Sequence, residues 1–349
     1  MTRLRTLGIV LLLLALMGGF GVGVNRYIAS RQTEVGTKPV ADPVRTHTDF
    51  VLPGTVYLAQ QGGIYALNNG SFRVIRSSEG WTQVSLSPDG THLFAVKQVP
   101  HYFSDLYMLS TDGTVLKQLT NDGVKTPKDG DLSGNRWAFY PRQGDDGKIY
   151  FSFDKPKAGF QVDLAVWNSP LDGFTTKTMK QRTQPNQFTG GDVSPIPLTS
   201  GALIYVKYQY GTDGQTFSRI MYQNKSMTEG TALTKPEDNC FAPSLSSTGM
   251  LAFVCSANSS VSEAWVGQLN EKTRVLENPH KVVTGTLVAS PSWSPDGKSL
   301  LYLAPTSTAT GYFELWWLDR ATEAVTAAPR AVTTQLDFDA TSAAVWSSP

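Results

Sequence analysis

The chain has 349 residues, 40% of them hydrophobic and only 17% charged, with Lys+Arg 30 against Asp+Glu 29 and a formal net charge of +1. That balance excludes a disordered chain, which lacks the apolar residues for a core. It also offers no basic excess to track a phosphate backbone, so nucleic acid is not an expected partner. Two cysteines rule out a disulfide-dense mini-scaffold and a four-cysteine zinc site, while 31 Gly and 20 Pro suit a chain full of turns.

The first predicted element is an apolar segment. Arg3 and Arg5 precede an uncharged stretch from Leu7 to Val24, 18 residues long, near the lower limit for crossing a hydrocarbon core of about 30 Å. Residues 1–28 are therefore expected to form one hydrophobic helix that anchors the protein in the membrane. Leu7 to Met17 also has the form of a signal-peptide core, and Gly21-Val22-Gly23 supplies a small-x-small pattern, so a cleaved signal is the alternative. The expected location is the cell membrane, single-pass with the following domain outside the cytoplasm, or secretion if the segment is removed. Residues 29–52, with Gly36, Pro39 and Pro43 and no apolar periodicity, read as a flexible linker.

From residue 53 a repeat organises the chain. Val84-Ser-Leu-Ser-Pro-Asp-Gly90 is followed by an apolar run at Leu93–Val96, and Pro291-Ser-Trp-Ser-Pro-Asp-Gly297 by Leu300–Leu303. Weaker copies keep a six-residue step from Pro141 to Gly147, Pro195 to Gly201 and Pro243 to Gly249, each followed by a β-rich run. From Gly90 onward the glycines recur at spacings of 57, 54, 48 and 48 residues, which fits four-stranded propeller blades. In each copy an inner strand ends where Pro cannot donate to a ladder, Asp favours a turn and Gly accepts positive φ. Five blades are predicted over about 81–120, 135–183, 190–234, 239–284 and 288–335, the fourth strand closing on Leu-Thr or a similar pair. Ala343–Pro349 reads as one more inner strand, and residues 53–76 as three outer strands. Together they make a sixth blade that joins the two ends of the repeat region and removes its open edges. The fold expected over 53–349 is thus an all-β, six-bladed propeller of four-stranded antiparallel blades.

Within this frame four groups of residues carry candidate chemistry. Asp129-Gly-Asp131-Leu-Ser133-Gly134-Asn135 sets oxygen ligands with the spacing that begins a calcium loop. Tyr140 stands where that loop would need its bidentate Glu, so a solvated turn is the competing reading and calcium is the one cofactor considered. His101, Tyr102, Phe103, Phe160, Tyr208, Tyr210 and Tyr312 fall in or beside the loops joining second to third strands. Those loops share one face with the loops between blades, and large rigid aromatics there suit recognition. The competing reading makes half of them core residues that begin third strands. Cys240 and Cys255 flank the fourth hairpin. If Leu245 pairs with Met250 the cysteines stand opposite each other, close enough for a disulfide. Such a bond fits an oxidising compartment, and two small buried thiols are the alternative. The histidines His47, His92, His101 and His280 are scattered, and no Gly-x-Ser-x-Gly elbow or His-Glu-x-x-His pair is present.

The Ser-Pro-Asp-Gly copies around Gly90 and Gly297, with the β-runs that follow them, resemble the TolB-like family of six-bladed propellers and the propellers of prolyl-oligopeptidase-type peptidases. The resemblance extends over 53–349 and implies the ring fold. Residues 1–52 do not read as the α/β domain that TolB carries, and no hydrolase domain accompanies the repeats. The expectation is a non-catalytic, membrane-tethered propeller outside the cytoplasm that binds or scaffolds a protein or glycan on its loop-rich face. The alternative is a hydrolase or lyase with its site at the channel mouth.

Overall fold

A computed structural model describes residues 51–77, 79–99, 102–121, 123, 134–155, 163–258, 261–306, 311–323 and 328–348. The helix expected over 1–28 and nearly all of the linker over 29–52 lie outside them. Among the described residues no helix is long and apolar enough to cross a membrane. Twenty-four strands among the described residues form six antiparallel sheets of four. Blade 1 comprises β4 (Trp81–Leu86), β5 (His92–Val99), β6 (Phe103–Ser110) and β7 (Val115–Gln118). Blade 2 comprises β8 (Ala138–Gln143), β9 (Lys148–Phe153), β10 (Ala165–Pro170) and β11 (Lys180–Gln181). Blade 3 holds β12 (Asp192–Pro197), β13 (Leu203–Tyr210), β14 (Thr216–Gln223) and β15 (Thr231–Ala232). Blade 4 holds β16 (Cys240–Leu245), β17 (Met250–Asn258), β18 (Val261–Asn270) and β19 (Val275–Thr286). Blade 5 holds β20 (Ala289–Trp293), β21 (Leu300–Pro305), β22 (Phe313–Leu318) and β23 (Arg330–Ala331). In blade 6, β24 (Val345–Ser347) pairs with β1 (Thr55–Gln60), followed by β2 (Gly63–Asn68) and β3 (Ser71–Arg76). The register Thr55↔Ser347, Val56↔Trp346 and Tyr57↔Val345 closes the ring.

The core lies between blades. Phe94, Val96 and Leu106 of blade 1 pack with Ile149, Phe151 and Phe153 of blade 2. Val56 and Leu58 of blade 6 pack with Leu301, Leu303 and Leu315 of blade 5. Both faces of each middle strand are therefore buried. This is why runs such as Leu93-Phe-Ala-Val96 are continuously apolar instead of alternating. Serine and aspartate build the turns: the Ser87 hydroxyl donates to Asp89, and Asp89 accepts the Thr91 N–H at 3.1 Å. Ser294 and Asp296 repeat the arrangement before Lys298. The threonines that end the outer strands have a specific task. Thr120, Thr183, Thr234 and Thr333 accept the N–H groups of Leu106, Val166, Ile220 and Leu315 at 2.9–3.0 Å.

One feature departs from the regular hairpin that the sequence suggests. Five inner strands carry a β-bulge, and in each the extra residue is a non-glycine with positive φ: Gln83 (49°), Tyr140 (53°), Ser194 (54°), Ala242 (49°) and Ser290 (46°). The next residue is proline in four of them, Pro141, Pro195, Pro243 and Pro291. A residue without an N–H suits a position where the ladder is interrupted. In blade 4 Leu245 pairs with Leu251, not Met250, and the bulge between Phe241 and Ser244 takes up the one-residue difference. Cys240 consequently still faces Cys255, and the two form a disulfide with their Cα atoms 4.1 Å apart.

Candidate functional site

Strand direction places the second-to-third loops and the inter-blade loops on one face. Four aromatics there are solvent-facing: Phe188 is 64% exposed, Tyr210 52%, Tyr312 46% and Tyr102 38%. Side chains hold the backbone at two of them, Phe188 and Tyr102. The Asp163 carboxylate accepts the N–H groups of Phe188, Thr189 and Gly190 at 2.6–3.1 Å, which fixes the loop before blade 3. The Tyr210 hydroxyl donates to the Phe188 carbonyl, tying two of the aromatics together. The buried Asn135 donates its amide to the Tyr102 carbonyl at 3.2 Å. Phe188 was not among the aromatics picked out from the sequence. Its signal is a lone large apolar residue within Asn186-Gln-Phe-Thr-Gly-Gly191, a stretch otherwise polar or flexible.

The remaining candidates fall as follows. Phe103 is buried at the start of β6, and Tyr208 is half-buried near the end of β13, on the wall of the central channel. His101, Phe160, Asp129, Asp131 and Ser133 lie outside the described residues. Among the described residues no three His, Cys, Asp or Glu side chains gather as a metal site. His92 sits beside the first turn at the opposite end of the ring, where its Nδ1 contacts the Thr91 hydroxyl. His280 lies on the outermost strand of blade 4.

The inner strands enclose a channel of about 770 Å3. Inter-blade hydrogen bonds hold its wall. Gln83 accepts the Tyr140 N–H at 2.8 Å, Ser85 donates to the Pro141 carbonyl at 2.6 Å, and Trp293 donates to the Ser244 carbonyl at 3.1 Å. Tyr140, Tyr208 and Phe241 supply aromatic surface, and four of the bulge-following prolines supply apolar surface. Burial pushes the Tyr140 phenol up to about 12, and raises that of Tyr208. Three charged residues line the channel: Arg142, Asp145 and Glu271. Asp145 accepts from Thr199 at 2.7 Å, and Glu271 from Ser200 and Tyr222. Desolvation holds the Arg142 guanidinium below its ordinary value. The site thus combines a rigid aromatic rim with a mostly uncharged channel, a combination suited to recognition by shape and hydrogen bonding.

No family model and no curated protein matches the chain. Solved structures do. TolB from Acinetobacter baumannii superposes with a TM-score of 0.61 at 13% identity, over 85% of this chain and 67% of that one. A putative TolB from Agrobacterium tumefaciens gives 0.54 at 14%, over 84% and 93%. The tricorn protease gives 0.52 at 13%, over 81% of this chain and 26% of that one. At these identities the likeness is one of fold: the chain is similar to the propellers of TolB proteins and of a large protease.

Proposed function

We propose that the propeller is a non-catalytic binding and scaffolding module that presents its loop face to a protein or glycan. The observation that carries this reading is the solvent-facing rim of Tyr102, Phe188, Tyr210 and Tyr312, with the backbone pinned at Tyr102 and Phe188 and Tyr210 tied to Phe188. Large aromatics on a rigid support lose little conformational freedom on binding, which is why such residues dominate binding hot spots. The fold likeness to TolB is consistent with such a role. The proposal places the propeller outside the cytoplasm, tethered by the apolar segment Leu7–Val24 or secreted after its cleavage. The Cys240–Cys255 disulfide supports an oxidising compartment.

The test is affinity capture from detergent-solubilised membranes with the full chain as bait, alongside Phe188→Ser and Tyr210→Ala variants. A specific partner retained by the parent and lost by both variants is the expected result. Turnover on a panel of glycans and peptides, with no partner captured, would overturn the reading in favour of a hydrolase or lyase at the channel mouth.

A further inference from the structure

The channel holds a cation that the fold does not use. Arg142 lies on β8 and lines the cavity, yet its guanidinium has no ion-pair or hydrogen-bond partner among the described residues. The rest of the molecule treats a buried cation differently. Lys207, buried on β13, is paired with the buried Asp192 of the neighbouring strand β12 at 3.1 Å and also donates to the Gln184 carbonyl. Arg142 is half-buried and faces the channel's solvent in place of such a partner.

Arg142 is also foreign to the repeat. The matching positions of the other inner strands hold Ser85, Ile196, Ser244, Ser292 and Val345, all uncharged. The ring therefore closes and packs without an arginine there. Neither channel acid pairs with it among the described residues: Asp145 and Glu271 sit at the turn end, where they accept from Thr199, Ser200 and Tyr222. What is left is a planar two-pronged donor in a channel whose remaining walls are aromatic, proline-rich and hydroxylic. A volume of about 770 Å3 lies within the range of small-molecule sites, and a guanidinium fork matches the oxygens of a carboxylate or phosphate.

We infer that the channel is a binding site for a small ligand with an oxyanion head, carboxylate or phosphate, on an apolar body, and that Arg142 is its anchor. This site is separate from the rim of the loop face, and it goes beyond the partner-binding role proposed above. The head group exchanges water for the fork of Arg142, and the body lies against Tyr140, Tyr208 and Phe241. Arg142 then gains the compensation that the protein itself withholds.

The experiment is isothermal titration of the full chain, in low-chloride buffer, with benzoate, phenyl phosphate and the neutral isostere benzamide. Benzoate and phenyl phosphate are expected to bind at least about tenfold more tightly than benzamide, and the stronger of the two identifies the head group. Arg142→Gln should weaken the anions by about ten- to a hundredfold and leave benzamide unchanged. Arg142→Lys, which keeps charge but not the fork, should fall between. Arg142→Met is expected to leave the melting temperature of the ligand-free protein close to the parent's, since the fold makes no use of the guanidinium. Equal binding of anions by the parent and Arg142→Gln, or no preference over benzamide, would overturn the inference. So would a lowered melting temperature for Arg142→Met, which would give the arginine a structural role.

Discussion

Trp346→Ala tests how the ring is shut. β24 contributes only three paired residues to blade 6, and Trp346 is the largest side chain among them. It is 9% exposed, packs with Val56, Leu58 and Leu301, and its indole N–H donates to the Pro53 carbonyl. Burying an indole removes about 200 Å2 from water, worth about 5 kcal/mol at about 25 cal/mol per Å2. A partly compact unfolded chain lowers that to the 3–5 kcal/mol typical of Trp→Ala. Trp293 provides the internal reference. It occupies the matching place in blade 5, is 6% exposed and makes the same kind of indole bond, but its strand continues into the next. Both variants should lose about 3–5 kcal/mol. Only Trp346→Ala should also free a strand end, expose the edge of β1 and make the chain sensitive to protease. Urea unfolding separates the two effects. A lower midpoint with unchanged slope is a cavity, whereas a lower slope is a native state already opened. A loss below about 1 kcal/mol, with proteolysis matching the parent, would refute the pairing of β24 with β1 as the element that holds the ring.

Three further outcomes follow from the same structure. Replacing Cys240 and Cys255 by alanine removes a cross-link spanning 15 residues; it should cost about 3 kcal/mol, read as a drop of several degrees in Tm, and non-reducing mass spectrometry of the parent should find no free thiol. At Gly191, φ is +91° and an added Cβ would meet the Leu164 carbonyl at 2.0 Å. Gly191→Ala should therefore lose far more stability in urea than Gly90→Ala, where φ is +72° and the space is open, so that only the about 1–2 kcal/mol of a left-handed alanine applies. The hydroxyl of Ser87, helped by Thr91, lowers the Asp89 carboxyl to about 2. Because the folded value lies below the unfolded one, this group supports folding above pH about 4, and that support is lost as pH falls through about 2. NMR titration should find Asp89 still ionised at pH 3, and Ser87→Ala should move its midpoint upward.

The ring was legible because it is written in short-range chemistry. Ser87-Pro-Asp-Gly90 and Ser294-Pro-Asp-Gly297 declare a turn through residues that touch one another, and the apolar runs beside them declare strands buried on both faces. The blade limits and the pairing of β24 with β1 follow from counting those signals. The bulges were not legible, because Gln83, Tyr140, Ser194, Ala242 and Ser290 share no residue type; what they share is a backbone conformation. The Cys240–Cys255 pair emerged from the sequence all the same, since the bulge offsets the one-residue slip at Leu245. At the loop face, Tyr102, Tyr210 and Tyr312 were readable as aromatics in long loops. Phe103, one residue from Tyr102, turns inward at the start of β6, an alternation that a loop gives no means to assign. Arg142 was hidden for a different reason: its repeat copy has lost the Ser-Pro signature, so its departure from the other copies shows only once the strands are aligned in space.

The bulges also explain how one architecture can carry an individual channel. The middle strands are constrained on both faces by neighbouring blades, so their residues are interchangeable hydrophobes. The inner strands meet the core on one side only and interrupt their ladders at Gln83, Tyr140, Ser194, Ala242 and Ser290. Around each bulge the ladder no longer dictates the residue type, and polar groups find partners across blades, as Gln83 does with the Tyr140 N–H and Ser290 with the Ala340 carbonyl. Variation is thereby confined to the channel wall, where serine, glutamine, tyrosine and arginine stand at equivalent heights without cost to the blades behind them. With a net charge of only +1, the molecule sets up no strong field to steer a ligand from afar. Selectivity must come from this wall and from the aromatic rim above it, at contact distance.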